Sequence, residues 1–248
     1  MSFQRRAASF DLARRGVVRF IPEASEAGAS GFAYSDIPNQ LLRINSLEGS
    51  LAFSGAVLTG VTDASPVAGT VNVTGSPTYT AADSGLNNAP SFTIVASSSV
   101  IAPNVNRASI RYIAAVFYRP SVGTFHYIAD GDDASGRILQ IMHTGGNVQV
   151  WTLGTLSTPT GEPTAGRKIW LAPNDNATQV RWSPAAGSAV QNIGTQPVGS
   201  ATGSGATIGQ SQSGTGYGAR FAFFMACSAV PSAPLLASLE AKLITDFG

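Results

Sequence analysis

Apolar residues recur along most of this chain in short runs that alternate with polar positions and are cut by Gly, Pro, Asn and Asp. Period-two alternation marks strands with one buried face. Leu41–Ile44, Leu51–Phe53, Ala56–Leu58 and Thr70–Val73 read as short strands, and Gly75–Tyr79 reads as a turn. Ser91–Ser97 alternates cleanly, whereas Ser109–Tyr118 is apolar at nearly every position, which suits a central strand of a packed sheet. Thr124–Ala129, Arg137–His143 and Asn147–Leu153 follow, the last two joined by Thr144-Gly145-Gly146, a hairpin loop with glycine available for positive φ. Arg167–Pro173 and Thr178–Trp182 flank an Asn174-Asp175-Asn176 turn, and Thr207–Gly209 and Arg220–Cys227 complete the strands. Helical spacing occurs clearly once. Leu235, Leu236, Leu239, Leu243, Ile244 and Phe247 line one face of a helix over Pro234–Phe247, with Ser232 placed as its N-cap. The pattern predicts an all-β fold, a sandwich or jelly roll with a short C-terminal helix. The strand–helix alternation of an α/β fold is missing.

Charge divides the chain. Charged residues make up 12% of the sequence, about half the usual ~25%. Residues 1–20 hold Arg5, Arg6, Arg14, Arg15 and Arg19 against Asp11, so this segment carries +4 while the whole chain carries +1. We therefore expect an N-terminal arm over residues 1–45, an attachment segment, and a sandwich domain over residues 46–248. A short helix near Phe10–Arg15 and a strand at Gly16–Ile21 fit the arm, although a docked strand with solvated arginines accounts for it equally well. The body lacks the clustered Lys/Arg of a nucleic-acid binder, and no apolar run is long enough to span a membrane. No apolar segment follows Arg5-Arg6, so the expectation is synthesis in the cytoplasm without a cleaved signal.

Chemistry is sparse. One cysteine, Cys227 in an apolar run, excludes an internal disulfide and reads as a small core hydrophobe. His126 and His143 are the only histidines, too few for His-rich metal sites or for most nucleophilic triads. Asp130, Asp132 and Asp133 form the densest acidic cluster. Carboxylates in a Gly turn can wrap Ca²⁺, but the position of the closing Glu of an EF-hand loop is Ile141, and a hairpin turn explains the cluster as well. No cofactor is otherwise expected. Glycoside hydrolysis needs two carboxylates about 5–9.5 Å apart, and the strongest strands carry no Asp or Glu. Sugar binding needs an aromatic face with planar polar partners. On Asn147–Leu153, Trp151 shares its face with Asn147 and Gln149, away from Val148 and Val150. Tyr217, between glycines of a Gly/Ser/Thr-rich segment, is a further candidate. Tyr127, Trp170 and Asn174–Asn176 are weaker ones, and Trp182 shares the face of Val180 and reads as core.

Several segments together resemble a known family. They are Asn88–Ile94, Ser109–Pro120, Ala129–Asp133, Gly136–Ile141, Thr207-Ile208-Gly209, Arg220–Ala226 and the closing Leu239–Gly248. Over residues 70–248 the chain resembles the concanavalin A-like, laminin-G-like jelly-roll domains of phage and bacterial surface proteins. It departs from them at Arg220-Phe221-Ala222-Phe223, where the family has a glycine, and before the final helix, where an acidic residue is missing. The resemblance implies a non-enzymatic virion protein, a tail fibre, spike or decoration, that binds cell-surface carbohydrate or docks other particle subunits through the arm. By the same analogy it implies a homo-oligomer, trimers being typical. The alternatives are a polysaccharide-active enzyme on the same fold and a purely structural virion protein with no ligand.

Overall fold

The computed structural model describes residues 31–95, 98–119, 126–130, 137–144, 147–152, 155–157, 166–175, 179–183, 191–195, 203–209 and 218–248, with the side chains of 126–127, 137–157 and several strand positions beyond them left aside. The chain divides into two compact units, Met1–Gly31 and Phe32–Gly248.

The second unit is a two-sheet antiparallel sandwich of the jelly-roll type with one C-terminal helix. The large sheet holds β1 (Gln40–Asn45), β2 (Leu51–Ser54), β3 (Val57–Val61), β5 (Thr78–Asp83), β6 (Ala89–Thr93), β8 (Tyr112–Arg119), β13 (Gly166–Pro173), β14 (Gln179–Ser183), β15 (Gln191–Thr195) and β17 (Arg220–Cys227). The small sheet holds β4 (Asn72–Thr74), β7 (Ser99–Asn106), β9 (His126–Asp130), β10 (Arg137–Thr144), β11 (Asn147–Thr152), β12 (Thr155–Ser157) and β16 (Ser204–Ile208). The spatial orders are β15-β14-β13-β8-β17-β6-β5-β3-β2 and β12-β11-β10-β9-β16-β7-β4. β17 is paired along one edge with β8. Its other edge is shared, with Arg220 and Phe221 against β6 and Phe223–Cys227 against β1.

Two apolar cores meet at the large sheet. Between the sheets lie Ile113, Ala115 and Phe117 of β8, Phe221, Phe224 and Ala226 of β17, and Ile128, Ala206 and Ile208 of the small sheet. The opposite face of the same strands carries Ala114, Val116, Ala222, Phe223 and Met225, covered by helix α1 (Ala233–Phe247) and by Tyr34 and Ile37. A strand buried on both faces has no polar phase, which is why Ser109–Tyr118 and Arg220–Cys227 read as continuous apolar runs. The register of β17 slips between Phe221 and Phe223. That bulge moves Phe221 into the first core and both Ala222 and Phe223 into the second. Each fully buried large side chain contributes about 1.5–3 kcal/mol.

The helix expected over Pro234–Phe247 forms, and Leu239, Leu243 and Phe247 are its buried residues. Ser232 is its N-cap residue, but the side chain makes no capping bond; its carbonyl accepts the Leu236 N–H at 2.9 Å. Pro234 in the first turn fits a position where the missing N–H costs nothing. Cys227 is buried in the second core, and burial pushes its thiol up to about 12.

Several expectations need correction. The compact unit begins at Phe32, not at residue 46. β1 completes the edge of β17, Tyr34 lies 4.9 Å from Phe223, and its hydroxyl donates to Asp246 Oδ2 at 2.7 Å. Thr78 and Tyr79 open β5 and do not belong to a turn, since cross-strand pairing with Thr93 and Phe92 outweighs the Gly75-Ser76-Pro77 breakers before them. Ser109 closes a 3-10 turn over Arg107–Ser109, so the central strand starts at Tyr112. β7 has no alternation to reveal it. Pro103 falls where its ladder with β16 is irregular, one of the few sheet positions that tolerate proline. Trp170 is buried in the inter-sheet core and offers no face to a ligand. Asn174 is also buried, its side-chain amide donating to the Ile110 carbonyl at 3.3 Å.

Two substitutions test this packing. Gly209 has φ +84°, and a Cβ there would stand 2.6 Å from Ile94 Cγ1 and 2.8 Å from Phe221 Cε2. Gly209→Ala is therefore expected to lower stability by about 2–3 kcal/mol, read as a lower urea midpoint. The Tyr112 hydroxyl is buried without a hydrogen-bond partner among the described residues. Tyr112→Phe removes an unsatisfied group, so its urea midpoint should hold or rise, by up to about 1 kcal/mol.

Candidate functional site

Cross-strand register gathers the polar positions of the small sheet. Thr144 is opposite Asn147, Met142 opposite Gln149, and Gln140 opposite Trp151, so these positions share one face of the β10–β11 pair. Tyr127 of β9 is opposite Gln140 and Leu156 of β12 is opposite Trp151. Leu139 of β10 is opposite Ala129, which is buried in the inter-sheet core. Trp182 is opposite Trp170 in the β13–β14 pair.

The remaining sequence candidates are less gathered. Asp130 ends β9, is buried, and stands opposite Arg137 in β10 and Thr207 in β16. Asp132, Asp133, Tyr217 and the arginines of the arm (Arg5, Arg6, Arg14, Arg15 and Arg19) lie outside the described residues. Among the described residues, no three His, Cys, Asp or Glu side chains gather to hold a metal.

A second polar surface was not singled out by the sequence. It lies on the large sheet, on the face that α1 covers elsewhere. Register places Thr78, Thr93, Arg220, Tyr118 and Arg167 in one row across β5, β6, β17, β8 and β13. Phe221 and Phe117 point into the inter-sheet core, so their neighbours Arg220 and Tyr118 belong to the opposite face. Arg220 Nε lies 2.9 Å from Asp83 Oδ2, and its guanidinium carbon is 4.0 Å from the centroid of the Tyr118 ring. The Asp83 side chain is only 1% exposed. Oδ2 also accepts from Ser91 Oγ at 2.8 Å, and Oδ1 accepts from the Gly85 N–H at 2.9 Å. Gly85 is required here: a Cβ would overlap the Tyr118 ring and stand 2.6 Å from Arg220 Nη2. Two hydrogen bonds and an ion pair on one buried carboxylate make Asp83 a fixed anchor, and the anchor positions Arg220.

Four other arginines differ. Arg43 Nη1 donates to Gln40 Oε1, Arg107 Nη1 to the Ser204 and Gly205 carbonyls, Arg111 Nη1 to the Ala108 and Ile110 carbonyls, and Arg181 Nη2 to Glu240 Oε1. The terminal nitrogens of Arg220 meet no hydrogen-bond acceptor among the described residues, and its side chain is 32% exposed. Glu240 is the described carboxyl with a resolved upward shift, caused first by burial and opposed by Arg181.

No family model and no curated protein sequence matches the chain. Solved structures do. The chain is similar to domain 4 of AbnA, a GH43 extracellular arabinanase from Geobacillus stearothermophilus, in complex with arabinotriose, with a TM-score of 0.53 and 10% identity over 82% of this chain and 98% of that one. It is similar to the binding domain of botulinum neurotoxin DC in complex with SialylT, at TM-score 0.52 and 10% identity, covering 83% of this chain and 52% of that one. A GH54 α-L-arabinofuranosidase soaked with a cyclic sulfate inhibitor matches at TM-score 0.53 and 13% identity over 86% of this chain, which spans 60% of the enzyme. At these identities the likeness establishes the fold.

The anchor predicts an order of stability. Asp83→Ala strands two hydrogen-bond donors and a cation and is expected to cost about 2–4 kcal/mol. Arg220→Gln, which removes a partly solvated partner, should cost less. Denaturant titration of both variants gives the order, and a reversed one would contradict the anchoring.

Proposed function

We propose that this chain is a non-enzymatic carbohydrate-binding sandwich, carried on the surface of a phage or phage-like particle as a fibre, spike or decoration. The observation that carries the reading is the whole-length match to a domain in complex with arabinotriose, 98% of which aligns with this chain. The neurotoxin binding domain in complex with SialylT adds a second sandwich with a bound glycan-type ligand. The face of β10–β11 that carries Asn147, Gln149 and Trp151 suits such a ligand, because an aromatic ring stacks on the apolar side of a pyranose while amides bond its hydroxyls. The particle setting and the docking role of the basic arm rest on the family resemblance and on the +4 charge of residues 1–20.

The non-enzymatic reading is supported by where the described carboxylates are. Asp83 is saturated by Ser91, Gly85 and Arg220, and Glu240 is tied to Arg181 at 2.8 Å. Neither is poised as the acid or base of a hydrolytic pair. The enzyme reading draws on the GH54 likeness, of which this chain spans only 60%.

A glycan array probed with the full chain tests the proposal. Binding to a defined glycan class is expected, with the signal of Trp151→Ala reduced about tenfold or more, a loss of about 1.4 kcal/mol or more. Reducing-sugar release from the bound polysaccharide should stay at background. A flat array would favour the purely structural virion protein, and sugar release would favour the enzyme.

A further inference from the structure

We infer that the Arg220 row on the large sheet is a second ligand subsite, one that recognises the carboxylate of an acidic sugar. The inference rests on the glycan-binding reading and names the chemical class of one of its ligands. Three observations carry it. The guanidinium is held before any ligand arrives, by Asp83 on its Nε side and by the Tyr118 ring beneath it. Its terminal nitrogens meet no acceptor among the described residues and its side chain is partly exposed, while Arg43, Arg107, Arg111 and Arg181 each spend an Nη on a protein acceptor. The surrounding row is polar, with Thr93 and Thr78 on one side of Arg220 and, beyond Tyr118, the position of Arg167.

A planar carboxylate fits this edge because two parallel N–H donors can meet its two oxygens, and the fork is already oriented. Tyr118 serves as the support of the guanidinium rather than as a stacking surface for sugar, since the cation occupies its face. The threonine positions supply hydroxyl groups of the kind that bond sugar hydroxyls. Asp83 lowers the net charge of the site, so an isolated small anion gains little, and the ligand must bring neighbouring hydroxyl contacts as well as its carboxylate.

Two matched pairs of probes test the subsite by isothermal titration on the full chain: 3′-sialyllactose against lactose, and tetragalacturonic acid against its methyl ester. The acidic member of a pair should bind about tenfold tighter or more. Arg220→Gln should abolish that preference and leave the affinity for the neutral member unchanged. Arg220→Lys, which keeps the charge and the pairing with Asp83 but loses the fork, should retain a native melting temperature and lose most of the preference. Equal affinities within both pairs, with binding intact, would overturn the subsite and leave glycan binding standing. So would a preference that survives in Arg220→Gln. Failure of all four probes to bind, together with a flat array, would remove both readings. Tight binding of sodium acetate alone would mark a free-anion site and overturn the sugar assignment.

Discussion

The pairing of β8 with β17 is the constraint on which the rest depends. Tyr112–Phe117 and Phe221–Cys227 are buried on both faces, so every side chain in these runs must suit one of two different cores. Phe117, Phe221 and Phe224 serve the space between the sheets, while Val116, Phe223 and Met225 serve the space under α1. A single bulge at Ala222 reconciles the two patterns. Because interiors are packed near crystal density, a slip of one residue would exchange the two sets and fill neither core. The helix and the Tyr34–Ile37 segment are held by the second core, and β1 by the free half of the β17 edge.

Polar groups inside this frame are used to fix chain segments. Asp63 accepts the N–H groups of Arg43, Ser65 and Gly69 and so ties a long loop to β1. Gln40 donates to the Tyr34 and Ile37 carbonyls and accepts from Arg43, whose Nε is paired with Glu48 at 3.1 Å. The buried Asp63 charge is satisfied by three hydrogen bonds, the condition under which burial is tolerated, and Arg43 combines one hydrogen bond with an ion pair. Asp83 follows the same rule, but the terminal nitrogens of the partly exposed cation it holds meet no acceptor among the described residues. In this protein the step from structural anchor to candidate subsite is that difference alone.

Function on such a fold belongs to surfaces rather than to the sandwich itself, since the same two-sheet frame occurs in the arabinanase domain, the neurotoxin binding domain and the arabinofuranosidase. Two places in the described fold are candidates: the β10–β11 pair of the small sheet and the Arg220 row of the large sheet. One offers an aromatic and two amides, the other an oriented guanidinium with hydroxyls. The low overall charge of the chain fits both, because neutral hydrogen-bonding surface is what sugars require and the charge present is concentrated at few places.

The sequence alone determined the all-β class, the central strands, the C-terminal helix and the burial of Cys227. These follow from local periodicity, and period two or 3.6 is written in neighbouring residues. It also placed Asn147, Gln149 and Trp151 on one face, since alternation within a single strand suffices for that. Only the tertiary structure decided that β1 belongs to the body, that β7 is a strand despite Pro103, and that Trp170 is core. Only it could bring Asp83, Gly85, Ser91, Tyr118 and Arg220 together. No short motif links those residues; they come from separate strands and a turn, and their meeting is set by strand order and register, which arise from long-range packing and leave no local trace in the chain.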